Sequence, residues 1–412
     1  MNLKYIKTID YWIGIPLCFL LSLLNKLVGL KNKLQNKESY PPTKILFMLL
    51  SEMGIAISSY PTLMEVKKQF PKATLYFLTF EKNISCIESL KIIPPENILT
   101  INSSSFFLFI KDNLYTLFKL YTKRMDMVFD FELFSRYSAI IAYLTRAPKR
   151  IGFDKFTMEG LYRGNLMTHK IQYNPHQHMS KNFLLFLENI NSSQYTSPMT
   201  SNPINTELIQ IPRILSTPEN ILRLKEKLKK INPNITQAQT IILFNISGGI
   251  LPLRAWPLKH FIHLSKLLLK VERNFIIAIG DQESKKENEA LLSAIESHSR
   301  YLDLSNRTSF EELLTLYDMA HILISNDSGP AHFASLKPHL KTFVFFGPET
   351  PTLYSPLGSN ITSIYAHFPC SPCFSAFNHR TSDCTDNKCL QVISPEYVFS
   401  LVQAASNKIQ YA

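Results

Sequence analysis

The sequence predicts an α/β protein built from two Rossmann-like domains, each a parallel sheet with helices on both faces. Three observations carry that reading. Short continuous apolar runs recur, as in KILFMLL from Lys44, TIILFNI from Thr240 and TFVFFG from Thr342, and strands buried on both faces look like this. Helical patterns alternate with the runs throughout. A stretch rich in Ser, Thr, Asn and Pro, Tyr195 to Thr217, separates two such series and reads as an interdomain linker.

In the first series, strand Lys44 to Leu50 is followed by a loop, Ser51 to Gly54, and a helix ending near Phe70-Pro71. TLYFLTF from Thr74 is the next strand, and Ile98 to Ile101 a further one. A long apolar helix, Phe106 to Tyr121, leads to strand MVFDFE from Met127 and a helix from about Ser135 to Leu144. The second series is cleaner. Strand Thr240 to Ile246 precedes an amphipathic helix, Leu258 to Val271, and NFIIAIG from Asn274 precedes a helix from Lys285 to Ser297. Ser309 with Glu312 forms a capping box that opens a helix ending near Asp318. HILIS from His321 is a strand, Pro330 opens a helix, and Thr342 to Gly347 is the last clear strand.

The N-terminal stretch YWIGIPLCFLLSLLNKLVGL, Tyr11 to Leu30, needs its own account. Its apolar run, Trp12 to Leu24, contains Pro16 and is short for a span, while Lys4, Lys7, Lys26, Lys31 and Lys33 flank it. That is the pattern of a helix lying in the membrane interface, with lysines at anionic headgroups. A transmembrane anchor and a helix packed on the core are the competing readings. Residues 1–40 are thus a membrane-association segment, 41–205 the first domain and 206–412 the second.

The 412 residues leave room for two domains with full cores. The net charge of +12 favours acidic partners such as anionic lipid or phosphorylated substrates. Nucleic acid is not among them, because the Lys and Arg residues are dispersed and no DNA-binding spacing occurs. No secretory cleavage site follows the apolar run. No dinucleotide GxGxxG follows a first strand, and no Walker A loop is present, which argues against a nicotinamide oxidoreductase and a P-loop NTPase.

The most distinctive motif is Asn326-Asp327-Ser328-Gly329-Pro330-Ala331-His332, between a buried strand and a helix. Gly329 allows close backbone approach, Ser328 adds a hydroxyl, and the helix start is an anion site that His332 can face. Asp327 would repel a phosphate, so it is expected to cap backbone N–H groups or to accept from sugar hydroxyls. The same residues also make ordinary helix-capping chemistry. The second motif follows strand Thr240 to Ile246: Ser247-Gly248-Gly249 is a turn able to bring N–H groups against a phosphate. Arg254 adds a forked permanent charge suited to a diphosphate, and Trp256 reads as core.

Four of the six cysteines cluster late, as Cys370, Cys373, Cys384 and Cys389. Two close pairs of thiolates can wrap a structural zinc. A disulfide and plain buried thiols are the alternatives, and a disulfide scaffold would be shorter and denser in cysteine.

Taken together, the SGG turn, RAWP, Gly280-Asp281, NDSGPAH and FFGPETPTLYSP resemble glycosyltransferase family 9, the heptosyltransferases of lipopolysaccharide synthesis. LSEMG with YPTLMEVKKQFP, FDFELFSRYSAIIAYLTRAPKRIGF and EGLYRGNLMTHKIQYNPHQHMSKNF extend the resemblance over roughly residues 44 to 400. The resemblance implies a GT-B fold, two Rossmann-like domains facing across a cleft, with acceptor bound by the first and nucleotide sugar by the second. It implies inverting transfer from a nucleotide-diphosphate sugar, ADP-heptose by family default, to a lipopolysaccharide or related glycolipid. It also implies no required cofactor and a place on the cytoplasmic face of the bacterial inner membrane. On this resemblance Ser328, Gly329 and His332 hold the diphosphate, Asp327 faces the sugar, Arg254 serves a phosphate and Gln282 the nucleoside.

One position departs from the pattern. The family's first loop carries Gly-Asp, whose Asp is the expected base, and here Gly54 is followed by Ile55. Transfer needs a group to take the acceptor hydroxyl's proton. Glu52 is the nearest substitute, although it also reads as a helix-start carboxylate. His176 and His178 are weaker alternatives as base or acceptor contacts. A catalytically silent glycolipid-binding or scaffold protein, and a nucleotide-sugar epimerase on the same architecture, are the rival functions.

Overall fold

A computed structural model of the chain describes residues 3–32, 41–50, 52–190, 203–249 and 251–410. The chain divides into two compact units, Met1–Gln210 and Ile211–Ala412. Ser51 and residues 195–202 of the expected linker lie outside the described residues.

The first unit runs α1 (Leu3–Trp12), α2 (Gly14–Asn32), β1 (Lys44–Met48), α3 (Met53–Gln69), β2 (Thr74–Phe80), α4 (Ile84–Ser89) and β3 (Ile98–Ile101). It continues through α5 (Phe106–Lys123), β4 (Met127–Asp130), α6 (Arg136–Leu144), β5 (Lys149–Asp154), β6 (His169–Gln172) and α7 (Met179–Glu188). Its strands form one parallel sheet in the order β3-β2-β1-β4-β5-β6. Strand alternation sends Leu46, Met48, Leu78 and Val128 to one face, where they share a core with Cys18 of α2, Leu120 of α5 and Ala139 of α6. On the other face Phe131 meets Phe183 of α7 with ring centroids 4.7 Å apart.

The N-terminal apolar stretch is not a single helix. A turn at Ile13 separates α1 from α2. Both are tied to the domain. Asp10 pairs with Arg136 at 2.8 Å, Cys18 is fully buried, Ser22 Oγ accepts from Asn165 N, and Asn25 donates to Asn165 O.

The second unit runs α8 (Pro218–Ile231), β7 (Thr240–Asn245), α9 (Leu258–Leu269), β8 (Asn274–Ile279), α10 (Lys285–Ala294), β9 (Tyr301–Asp303) and α11 (Phe310–Met319). Then come β10 (Ile322–Asn326), α12 (Gly329–Phe333), β11 (Lys341–Phe346), α13 (Pro351–Tyr354), β12 (Ile361–Tyr365), α14 (Lys388–Gln391) and α15 (Pro395–Gln410). Its parallel sheet has the order β12-β11-β10-β7-β8-β9. Each sheet therefore runs outward from its first strand in one direction and then, from the fourth strand, in the other. The switch falls between β1 and β4 in one sheet and between β7 and β10 in the other, and ligands of such sheets bind beyond the strand ends at that switch. The capping box of Ser309 and Glu312 is present at α11. Trp256 is core, stacked on Phe345 at 4.5 Å with its indole N–H donated to Ile393 O.

Candidate functional site

At the switch of the second sheet, the ends of β7 and β10 are stitched together by two asparagines. Asn245 donates to Ser325 Oγ at 2.9 Å and to Ser328 Oγ at 2.7 Å. Asn326 donates to Ile246 O at 2.8 Å and accepts from Trp256 N at 2.8 Å. Asparagine suits this post because its amide both donates and accepts. The SGG turn is held close between them. Gly249 has φ +62°, and a Cβ on Gly248 would sit 2.9 Å from Leu251 O. Ser247 Oγ accepts from Gly249 N.

Ser328 stands at the start of α12, but its side chain caps nothing there. Its hydroxyl accepts from Asn245 and donates to Asn326 O at 3.3 Å instead. Ordinary capping therefore does not explain the Asp-Ser-Gly-Pro sequence. His332 is buried within the same short helix.

Asp327 is buried, with Oδ2 3.5 Å from the Arg254 guanidinium and without a hydrogen-bond donor. Burial pushes its carboxyl up and Arg254 pulls it back. The Arg254 charge is thus already shared with a carboxylate. Sequence reasoning missed the partner of this pair. Glu349, just past β11, is also buried, with Oε1 3.0 Å from Arg380 Nε. Burial and the nearby Asp327 push Glu349 up, while the guanidinium of Arg254 opposes them. Two acidic and two arginine side chains are thus gathered beside the NDSGPAH turn. Gln282, after β8, is exposed and accepts from Asn306 at 2.8 Å.

The late cysteines lie in the segment that carries Arg380. Cys373 N and Phe374 N donate to Pro348 O, and Asn387 donates to Leu253 O and Ala255 O. This pins the tail onto the two loops that hold Glu349 and Arg254. Among the described residues no three His, Cys, Asp or Glu side chains are grouped to hold a metal, and all four thiols are free. Cys389 is buried against Gly347 and Cys384 Sγ donates to Asp386 O, while Cys370 faces solvent. Backbone bonds and the Arg380 pair tie this segment to the second unit.

At the switch of the first sheet, Glu52 occupies the position before α3 with an extended backbone and makes no cap hydrogen bond. Nearby strand ends are also linked, since Leu50 N donates to Glu132 Oε1 at 2.6 Å. Asp130 is fully buried, ion-paired with Arg163 and bonded by Ser138. Asp130 and Glu132 are therefore engaged in holding the site. His178 Nδ1 accepts from Ser180 N and so caps α7. His176 is exposed on the turn before it.

Two Rossmann-like units of this order define the GT-B class of fold. The chain matches the model of glycosyltransferase family 9 (heptosyltransferase) over residues 118–381, more than half its length, and belongs to that family. It is 26% identical over 187 residues to lipooligosaccharide heptosyltransferase 2 of Campylobacter jejuni, covering 45% of this chain and 58% of that relative. It is 23% identical over 336 residues to lipopolysaccharide heptosyltransferase 1 of Campylobacter coli, covering 78% and 88%. Among solved structures, E. coli ADP-heptose lipopolysaccharide heptosyltransferase II shares the fold with a TM-score of 0.67 at 16% identity, covering 89% of this chain and 99% of that one.

Proposed function

We propose that this protein is an inverting glycosyltransferase that moves a sugar, heptose first among the choices, from a nucleotide-diphosphate donor such as ADP-heptose to a lipopolysaccharide-type glycolipid. The observation that carries the reading is the turn from Asn326 to His332 at the switch of the second sheet. There Asn245 orients the Ser328 hydroxyl, His332 is buried alongside, and Arg254 stands against Asp327. Family membership and the names of the relatives support the sugar and the acceptor class.

In this mechanism the acceptor hydroxyl attacks the anomeric carbon as the bond to the diphosphate oxygen breaks. Glu52 takes the hydroxyl's proton. The leaving diphosphate gains negative charge, which Arg254, His332, Ser328 and the first N–H groups of α12 stabilise. No metal is needed for that role, because the charge is met by protein donors. The work is proposed to take place on the cytoplasmic face of the inner membrane, with α1 and α2 lying in the interface. The stretch Thr8–Leu27 is apolar enough to cross a membrane. Its bonds to Arg136 and Asn165 favour a helix that lies along the domain over one that leaves it.

A thermal-shift panel of nucleotide sugars tests the reading. A donor at a hundred times its dissociation constant should stabilise the protein by about 2.7 kcal/mol. No shift with any nucleotide sugar, and no turnover on a glycolipid acceptor, would favour the silent binding protein instead.

A further inference from the structure

Helix α5 is apolar on its outer side. Phe107, Ile110, Leu114, Phe118 and Tyr121 recur every three or four residues and so share one face. That face points to solvent: Phe107 is 76% exposed, Leu114 65% and Phe118 66%. The buried positions, Thr116 and Leu120, are on the opposite side. A surface helix of a soluble domain has the reverse arrangement, with its apolar stripe turned to the core. Contiguous exposed apolar surface of this kind marks an interaction site.

The helix does not stand alone. Residues Arg136 and Tyr137 of α6 reach both ways. Arg136 pairs with Asp10 of α1, while Tyr137 packs on Phe109 of α5 at 5.5 Å and donates to Asn113 at 2.6 Å. Helices α2, α6 and α5 thus cover one face of the first sheet. Helix α2 is also apolar outward, at Phe19, Leu20, Leu23, Leu24 and Leu27.

The charges bordering the outer face of α5 are basic. Lys111, Lys119 and Lys123 lie on it, Arg124 ends it, and Arg146 bonds to the Tyr121 hydroxyl. Its one acid, Asp112, turns away to accept from Asn102 N. Lys119 lies over the Tyr115 ring at 4.5 Å, its stem along the apolar face. Apolar side chains, interfacial tyrosines and a basic border complement an anionic bilayer.

We propose that α5 is a second membrane-docking helix, which with α2 seats the first domain on an anionic lipid surface. The inference rests on the proposed function for its membrane-borne acceptor, and adds to it a surface that the N-terminal segment alone does not provide. Two shallow apolar faces bind far more tightly than one, because their transfer free energies add on a rigid scaffold. They also fix how the domain is oriented, which one helix cannot do.

The test uses the full chain carrying Phe107→Gln, Leu114→Gln and Phe118→Gln together. All three side chains are exposed, so thermal unfolding and circular dichroism should match the parent. Flotation with phosphatidylethanolamine–phosphatidylglycerol vesicles should show binding reduced roughly a hundredfold or more. Phosphatidylcholine vesicles should bind the parent weakly, and salt should weaken its binding to the anionic ones. Transfer to a water-soluble acceptor sugar should be unchanged in the variant, while transfer to vesicle-borne glycolipid falls. Equal vesicle binding by parent and variant overturns the proposal. So does a variant that binds vesicles as before but shifts from dimer to monomer, since the stripe is then covered by a second copy. A parent that transfers sugar yet binds no vesicle overturns it while leaving the proposed function intact; a parent that binds vesicles through α5 but transfers no sugar does the opposite.

Discussion

The side-chain amide of Asn245, at the end of β7, donates to the hydroxyl of Ser328 across the switch of the second sheet, at 2.7 Å. The bond fixes which way the Ser328 oxygen points. It leaves the hydroxyl's accepting side occupied by protein and its proton only loosely held, on Asn326 O at 3.3 Å. If the donor's diphosphate is seated there, as proposed, its oxygen can accept a hydrogen bond from that hydroxyl without displacing a strong one.

Replacing Ser328 or His332 by Ala should therefore weaken donor binding. Each loses a hydrogen bond to a charged group, roughly 1.5–3 kcal/mol, or about tenfold to a hundredfold in dissociation constant. Ser328→Ala should also lower stability by about 1 kcal/mol, since the buried Asn245 amide keeps only Ser325. Titration of each variant with the donor checks both figures. Unaltered donor affinity in both variants would place the diphosphate elsewhere.

Glu52→Gln keeps the side chain's size and removes its basicity. If Glu52 takes the acceptor proton, donor affinity should hold and turnover should fall by roughly 10²–10⁴. Asp130→Asn and Glu132→Gln are instructive controls. The first removes the charge that pairs with Arg163, and the second turns the acceptor for Leu50 N from a carboxylate into a neutral amide, so they should lower stability along with activity. Full activity in the Glu52 variant would clear it and leave His176 and His178 as the alternatives.

The sequence made the centre of each sheet legible and its edges less so. β1, β7, β10 and β11 are buried on both faces and read as unbroken apolar runs. β5 escaped notice because it opens with Lys149 and Arg150. The Arg150 guanidinium is nonetheless buried, bonded to Leu166 O and Ala147 O. β6, β9 and β12 are short or half-exposed strands at or near the edges, too brief for a period to show. The NDSGPAH turn and Arg254 were legible as motifs. Their partners were not: Glu349 reads as a polar turn residue after a strand, and only the fold brings Arg380 from the cysteine segment to meet it. Glu132 was hidden in the same way, inside a run that read as strand.

Glu349 gives the protein a pH signature. Burial and Asp327 raise its carboxyl from the ordinary 4.5 to about 8, against the pull of Arg254. Between those values the folded protein keeps a proton that the unfolded chain has lost, so stability should fall as pH rises through that window. Glu349→Gln is neutral throughout and should flatten the fall. Urea midpoints at several pH values for both proteins measure it. Parallel curves would mean that Arg380, 3.0 Å away, keeps Glu349 ionised in the folded state.

The two tryptophans separate the N-terminal segment from the rest. Trp12 is 71% exposed and Trp256 is 1% exposed. If α1 and α2 lie in the bilayer interface, adding anionic vesicles should shift Trp12 emission to the blue and make it quenchable by brominated lipid. Trp256, stacked on Phe345, should not respond. A Trp12→Phe variant should lose the change while still binding vesicles. Emission unaffected by vesicles, in protein that nonetheless floats with them, would assign the attachment to α5 alone.

The cysteine segment offers the last prediction. Burial pushes the Cys389 thiol up to about 11, with Cys373, Cys370 and Cys384 adding to the shift. Cys18 and Cys86 are raised in the same direction by burial, to about 11 and about 12. A raised thiol holds little thiolate at neutral pH, and thiolate is the reactive form. Folded protein should therefore label quickly at Cys370, more slowly at Cys373 and Cys384, and at Cys18, Cys86 and Cys389 only on unfolding. Peptide mapping after timed alkylation reads the order. The same experiment examines zinc. Four metal-bound thiolates would be protected together and released together by a chelator, and elemental analysis would find about one zinc per chain. With Cys370 exposed, Cys389 in the core and Cys384 turned to Asp386, the chelator should change nothing. Joint protection of the four would mean that the segment between Cys370 and Cys389 closes around metal, at the expense of the contact between Arg380 and Glu349.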